Sequence, residues 1–109
     1  MKFDEYQKIA KKTAVYPTVG KSFVYPALGL AGETGEVLEK IKKLFRDKNG
    51  ELDNESKEEL KKELGDILWY ISQLSTELGL KLSEVAIGNV EKITSRKARN
   101  QIHGSGDNR

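Results

Sequence analysis

Two long segments with helical periodicity, joined by a short polar loop, constrain the fold of this chain most. The first runs from Pro26 to about Arg46 and the second from about Glu55 to Leu78, and in both the apolar residues recur at three- and four-residue steps. The loop between them, residues 47–54 (DKNGELDN), contains Asn-Gly, a strong turn signal. Because short connections place successive helices antiparallel, the pattern predicts a central helical hairpin.

Two shorter helices are expected to flank the hairpin. Apolar spacing predicts a first helix over residues 3–14, followed by a loop with two Tyr-Pro steps. Gly79 is expected to end the third helix, and Ser83 to cap the start of a fourth. There is no strand pattern, so the predicted class is all-α. The predicted organisation is one domain over residues 1–99 and a polar tail over residues 100–109.

Composition narrows the class of protein. The chain has 109 residues, of which 37% are hydrophobic and 33% charged, enough apolar material for one modest core. A net charge of +2, from 19 basic and 17 acidic residues, argues against bulk nucleic-acid binding. The absence of cysteine excludes disulfides and thiolate metal sites. Without a membrane-length apolar run or a leader-like N-terminus, we expect a soluble, cytoplasmic protein with no membrane partner.

Four acids form two matching pairs on the hairpin: Glu33 with Glu36, and Glu63 with Asp66. Spacing of i, i+3 puts each pair on one side of its helix, and on a helical wheel both pairs are offset from the apolar stripe in the same rotational sense. In an antiparallel hairpin such offsets converge at one level. Clustered carboxylates need a cation, and all-oxygen ligands favour Mg²⁺, with Mn²⁺ as a substitute, over zinc. The alternative is a solvated acidic face with lysine partners.

Three glycines interrupt the first long helix, at positions 29, 32 and 35. Each costs about 1 kcal/mol relative to alanine in a helix interior, so a compensating reason is expected. Two interpretations stand: close packing against a neighbouring helix, or room for a ligand or metal beside the carboxylates.

At these residues the chain resembles a known family. ETGE followed by ELGD resembles the E-x-x-E…E-x-x-D pattern of the MazG-type all-α nucleotide pyrophosphohydrolases, and the string ELGDILWYI and the fourth-helix pattern Asn89-x-x-Lys92-x-x-x-Arg96 are similar to that family too. The resemblance covers roughly residues 26–99, and the tail GSGDNR is similar to small single-domain members.

The resemblance implies a four-helix MazG-like bundle that cleaves nucleoside triphosphates, often deoxynucleotides, between the α and β phosphates with Mg²⁺. It implies that all four acids hold the metal, and that one of them, Glu36 being our choice, orients or deprotonates the attacking water. A role in nucleotide-pool housekeeping would fit such a reaction.

The remaining site residues are predicted with alternatives. Asn89, Lys92 and Arg96 share one face of the fourth helix, where they either contact phosphate oxygens or form a solvated basic helix end. Trp69 lies opposite the apolar stripe of its helix and is expected either to pack against another helix or subunit or to stack on a base. Phe23 and Tyr25 either line a base pocket or anchor their loop, and His103 is read as an incidental tail residue.

Small size, the exposed position expected of Trp69 and the family resemblance together predict a homo-oligomer, either a homodimer or a homotetramer. The predicted substrate is a nucleoside triphosphate. The main alternative is a non-catalytic helical interaction or regulatory module with the same fold. A di-iron carboxylate bundle is disfavoured, since that site uses Glu-x-x-His pairs and no histidine lies in the predicted helices.

Overall fold

A computed structural model describes all 109 residues and contains four helices: α1 (Phe3–Lys12), α2 (Val24–Lys48), α3 (Asn54–Glu77) and α4 (Leu82–Ala98). The one extended pairing is an isolated bridge between Val19 and Lys21. The all-α prediction is therefore confirmed. None of the four helices combines the length and the apolar character that crossing a bilayer requires.

The antiparallel hairpin of α2 and α3 dominates the molecule. Residues early in α2 lie beside residues late in α3, as Gly29 does beside Tyr70, and residues late in α2 lie beside residues early in α3, as Lys48 does beside Ser56. This ordering along the two helices is the antiparallel packing that the short loop predicted.

The loop between the two helices is built as its residues indicate. Asn49 and Gly50 both adopt the left-handed conformation, with φ of 54° and 76°, and the Gly50 N–H donates to the Leu44 carbonyl at 3.0 Å. Asp53 then caps α3, accepting a hydrogen bond from the Ser56 N–H at 2.8 Å. Hydrogen bonding from the hydroxyl and the backbone N–H of Ser56, together with the ammonium group of Lys48, holds the pKa of Asp53 well below its usual range.

Two helix starts differ from the sequence prediction. Helix α2 begins at Val24, so Tyr25 is helical although it precedes Pro26; the proline lies in the first turn, where backbone N–H groups have no intrahelical partner. Helix α4 begins after Lys81 without a side-chain cap, so Ser83 as the N-cap was wrong. The Ser83 N–H instead donates to Asp4 of α1 at 3.2 Å. The end of α3 is as predicted, with Gly79 at φ of 71° and the Leu80 N–H donating to the Ser75 carbonyl.

The side chain of Gln7 connects α1 by hydrogen bonds to the junction of α3 and α4. Its side-chain amide donates to Thr76 Oγ1 at 3.1 Å and to the Leu80 carbonyl at 2.9 Å. Its side-chain carbonyl accepts from the Leu82 N–H at 2.8 Å. One side chain therefore satisfies backbone groups on both sides of the turn, and α1 and α4 are held at the C-terminal end of α3.

The interior is thin, because neither α1 nor α4 packs on α2. Only 9 of the 109 residues are buried, and large apolar side chains on every helix remain exposed. The accessible surface is 8099 Å², whereas a folded monomer of this mass exposes about 6,100 Å². The radius of gyration is 16.8 Å, against about 13 Å for a compact domain of this length. The chain is thus an open helical assembly with apolar surface left uncovered.

Candidate active site

Three of the four predicted acids come together where the two hairpin helices face each other. Glu33 of α2 and Glu63 and Asp66 of α3 each present a carboxylate oxygen within 4.8 Å of the other two. Glu33 and Glu63 are half-buried and Asp66 is exposed. Glu36 lies outside this group of three and its side chain is exposed.

The pKa of Glu33 in this cluster is clearly affected by its surroundings. Burial raises the pKa of the Glu33 carboxyl, and the nearby charges of Asp66, Glu63 and Glu36 raise the pKa further. Glu36 is therefore close enough to act electrostatically on Glu33. One lysine offsets part of the charge, since Lys40 Nζ lies 3.5 Å from Glu63 Oε1 and 3.8 Å from Glu59 Oε2.

The donor set fits a hard divalent cation. Mg²⁺ and Mn²⁺ prefer oxygen ligands, carboxylates among them. The three carboxylate oxygens lie within 4.8 Å of one another, so Glu33, Glu63 and Asp66 could together hold one such ion. The absence of nitrogen and sulfur ligands from the cluster also agrees with Mg²⁺ or Mn²⁺ rather than zinc.

Two tyrosines lie within electrostatic range of the acids, and sequence reasoning did not single out either. Burial raises the pKa of Tyr6 on α1, and the charge of Asp66 raises it further. Burial likewise raises the pKa of Tyr70 on α3, with smaller contributions from Tyr25, Glu33 and Asp66. Tyr70 was accessible from spacing, because it follows Asp66 by one helical turn. Tyr6 was not, since no local pattern brings α1 beside α3.

Two of the three predicted base-binding aromatics, Trp69 and Tyr25, are packed within the chain. The Trp69 indole N–H donates to Thr13 Oγ1 at 2.9 Å, and its ring meets Tyr16 and Tyr70 edge to face at 6.2 and 5.0 Å. Tyr25 stacks on Tyr16 at 5.3 Å. Trp69 is half-buried rather than exposed, so its position gives no support to an oligomer.

An apolar groove of about 700 Å³ lies between α1 and α4. Phe3, Tyr6, Leu68, Ile87 and Val90 are among its lining residues. The groove does not include the aromatics that the sequence suggested for base binding: Trp69, Tyr25 and the partly exposed Phe23. Base binding by those three residues stays a prediction.

The basic residues of α4 contact the C-terminal tail. Lys92 Nζ donates to Asp107 Oδ1 at 2.8 Å, and Arg96 Nη2 donates to the same oxygen at 3.2 Å and to the Asp107 backbone carbonyl. Arg96 is buried and Asn89 is exposed. No hydrogen bond or ion pair joins Lys92 or Arg96 to the acidic cluster. Because Arg96 is buried, the interpretation of this face as a solvated basic helix end is wrong for that residue. Phosphate binding stays a prediction.

Two comparisons with known proteins gave a match. Residues 26–100, which include the four acids and the basic face of α4, match the family model described as the MazG nucleotide pyrophosphohydrolase domain. The chain is also similar to the Gene 37 protein of Mycobacterium phage L5, with 45% identity over an alignment that covers the whole of both chains. No solved structure matches it significantly. With more than half of its length matched, the chain belongs to the MazG nucleotide pyrophosphohydrolase family.

Proposed function

We propose that this protein hydrolyses nucleoside or deoxynucleoside triphosphates between the α and β phosphates, releasing a nucleoside monophosphate and pyrophosphate. The observation that carries the proposal is the convergence of Glu33, Glu63 and Asp66 within 4.8 Å, inside the span that matches the family. Mg²⁺ is the proposed cofactor, with Mn²⁺ as a substitute, and the proposed role is nucleotide-pool housekeeping.

The acids take two roles in this proposal. Glu33, Glu63 and Asp66 hold the cation, with Glu36 available one turn from Glu33. When bound, the cation supplies positive charge that offsets the charge on the reacting phosphates. Glu36 is exposed and makes no hydrogen bond or ion pair, so its carboxylate is free to orient the attacking water or to accept its proton.

The basic face of α4 supplies the contacts to phosphate. A guanidinium group binds phosphate oxygens through two parallel N–H bonds, and an ammonium group adds a compact charge. Lys92 and Arg96 lie one turn apart, so together they can bind a polyphosphate chain, with Asn89 one turn earlier on the same face.

We also propose that the protein is a homo-oligomer, a homodimer or a homotetramer. The support is its surface, which exceeds that of a compact monomer by about 2,000 Å², while a standard interface covers about 800 Å² per partner. Apolar side chains such as Leu38, Phe45 and Leu64 are more than half exposed along the hairpin. Light scattering coupled to size exclusion tests this, and a monomer at micromolar concentration would exclude it.

One observation favours a second candidate function. The ion pair between Lys40 and Glu63 offsets part of the acidic charge without a metal. This is the arrangement expected of a non-catalytic interaction or regulatory module whose acids are surface charge. Titration calorimetry with Mg²⁺ separates the two candidates, because the non-catalytic module predicts no specific binding that depends on Glu33 or Asp66.

The deciding experiment is a panel of canonical and modified nucleoside and deoxynucleoside triphosphates with Mg²⁺, scored separately for pyrophosphate and for phosphate. Glu36→Gln and Asp66→Asn should abolish pyrophosphate release while circular dichroism shows unchanged helicity. Glu39→Gln is the matched control, since Glu39 lies on the same helix but pairs with Lys42 at 2.8 Å. Phosphate as the sole inorganic product would refute α–β cleavage, and full activity in both variants would refute the assigned site.

A further inference from the structure

The C-terminal tail, residues 100–109, folds back on α4 and closes over two of its basic residues. One carboxylate oxygen of Asp107 accepts from both Lys92 and Arg96, and the Asp107 backbone carbonyl accepts a second bond from Arg96. An acidic residue ten or more positions away therefore occupies the cations to which the phosphate role is assigned.

Arg96 is unusual in its burial and in its unused donor. Only 7% of the residue is exposed, and its Nε–H has no hydrogen-bond partner. Buried polar groups are almost always paired, and leaving a donor of a buried charged group without an acceptor costs free energy. The contact with Asp107 thus leaves the guanidinium group short of acceptors. A ligand with more anionic oxygens would satisfy it better.

Asp107 holds this position weakly. Its side chain is 75% exposed although that of Arg96 is only 9% exposed, so water reaches the carboxylate and screens its charge. One carboxylate also carries a single negative charge against two cations. A polyphosphate brings several charges and several acceptor oxygens to the same place, so it competes favourably for both side chains.

The rest of the tail is bonded mainly to itself, with one further bond from Arg99 Nη2, at the end of α4, to the Arg109 carbonyl at 2.8 Å. Arg109 donates to the backbone carbonyls of Gln101, Ile102 and Gly106 at distances of 2.6–3.1 Å. Gly106 adopts a positive φ of 84°, a conformation that favours glycine. Asp107 is therefore presented by a small closed loop, which can leave the basic pair without unfolding α4.

We propose that Asp107 is a place-holder for substrate phosphate: in the free protein it occupies an anion site made by Lys92 and Arg96, and a polyphosphate group displaces it and releases the tail. The proposal rests on the phosphate-binding role assigned to α4 under the proposed function. It makes the tail an autoinhibitory contact that weakens the binding of anions.

Binding of inorganic tripolyphosphate by titration calorimetry, in a chelating buffer so that the acidic cluster holds no metal, tests the proposal without any turnover. Asp107→Asn removes the competing charge and should tighten binding about three- to fivefold, near the upper end of what an exposed ion pair such as that of Lys92 with Asp107 supplies. Asp107→Glu keeps the carboxylate and should bind close to wild type. Asp47→Asn is the matched control, since it removes an exposed carboxylate from Arg46 on another helix and should change nothing.

Relaxation of backbone ¹⁵N nuclei in the unmodified protein gives a second measurement that needs no variant. Tripolyphosphate should lower the order parameters of residues 102–109 while those of α4 stay unchanged. Weaker or unchanged binding by Asp107→Asn, or tail order parameters indifferent to tripolyphosphate, would overturn the proposal. A protein that hydrolyses no nucleotide but shows tighter tripolyphosphate binding in Asp107→Asn would separate the two ideas, because only the proposed function would then have failed.

Discussion

Gly29 lets the Tyr70 ring of α3 lie against the backbone of α2, and replacing it with alanine perturbs the hairpin one helical turn before Glu33. A Cβ atom at this position would lie 2.6 Å from Tyr70 Cδ1 and nearer still to the Cε1 and Cζ atoms of that ring. Ordinary carbon contacts lie at about 3.5–4.0 Å, so the nearest ring atoms would have to move by roughly 1.3–1.8 Å. The Tyr70 ring is itself packed edge to face against Trp69 at 5.0 Å, which limits that movement.

The expected magnitude follows from two opposing effects. Overpacking of this kind costs about 1–3 kcal/mol, and alanine in place of glycine in a helix interior stabilises by about 1 kcal/mol. Gly29→Ala should therefore lower the free energy of unfolding by about 1 kcal/mol. A Cβ atom at Gly32 or Gly35, on the same helix, would meet nothing within 4 Å, so alanine at either position should stabilise by about 1 kcal/mol.

Thermal and urea unfolding of the three variants measures the contrast. Gly29→Ala should melt about 8 °C below Gly32→Ala, at about 4 °C per kcal/mol for a domain of this size. Gly29→Ala as stable as wild type would refute the packing argument. Nucleotide hydrolysis by Gly32→Ala adds a second readout, because a stabilised but inactive variant would indicate that the space beside Glu33 is needed by the substrate.

Three further predictions concern charge and long-range hydrogen bonds. Because the pKa of Glu33 is raised in the folded state, the free energy of unfolding in a chelating buffer should fall as pH rises through that pKa. Glu33→Gln should flatten this pH dependence and reduce the stabilisation that Mg²⁺ provides. A steeper pH dependence in the variant than in wild type would contradict the prediction. Because the pKa of Asp53 is depressed, its contribution is present at neutral pH and is lost as pH falls below the ordinary range of aspartate; urea unfolding should show Asp53→Ala weaker than wild type at pH 7 and nearly equal in strong acid. Gln7→Ala, which leaves the Leu82 N–H without its partner, should cost about 2 kcal/mol and speed hydrogen exchange at the start of α4, and unchanged exchange there would count against the role of Gln7.

The hairpin and the meeting of its acids were accessible from sequence because both depend on local rules. Helical period, loop length and turn chemistry are properties of neighbouring residues, and together they predicted the antiparallel packing that brings Glu33 towards Glu63 and Asp66. The same wheel also explains why Glu36 stays apart. It lies roughly 60° further from the apolar stripe than Glu33, so its side chain points to solvent.

The features that were missed depend on contacts between distant parts of the chain. Trp69 looked exposed because its own helix turns it away from the α2 seam, yet α1 and the following loop cover that side. Asp107 has no periodic pattern around it, so nothing local pairs it with Lys92 and Arg96. Such contacts are set by how helices dock, and that docking depends on the whole apolar surface rather than on any short motif.

The antiparallel hairpin has a consequence for which changes in length the chain can accept. Each added residue inside a helix rotates everything beyond it by about 100° and shifts it by 1.5 Å. One insertion between Glu33 and Leu44 would therefore turn the first acid pair away from the second. An insertion at the exposed Glu51–Leu52 step changes neither helical phase, because the facing registers are held by the packed seam. The length of the connecting loop and the geometry of the acids are thus free to vary independently, and a tag or a new chain break belongs in that loop.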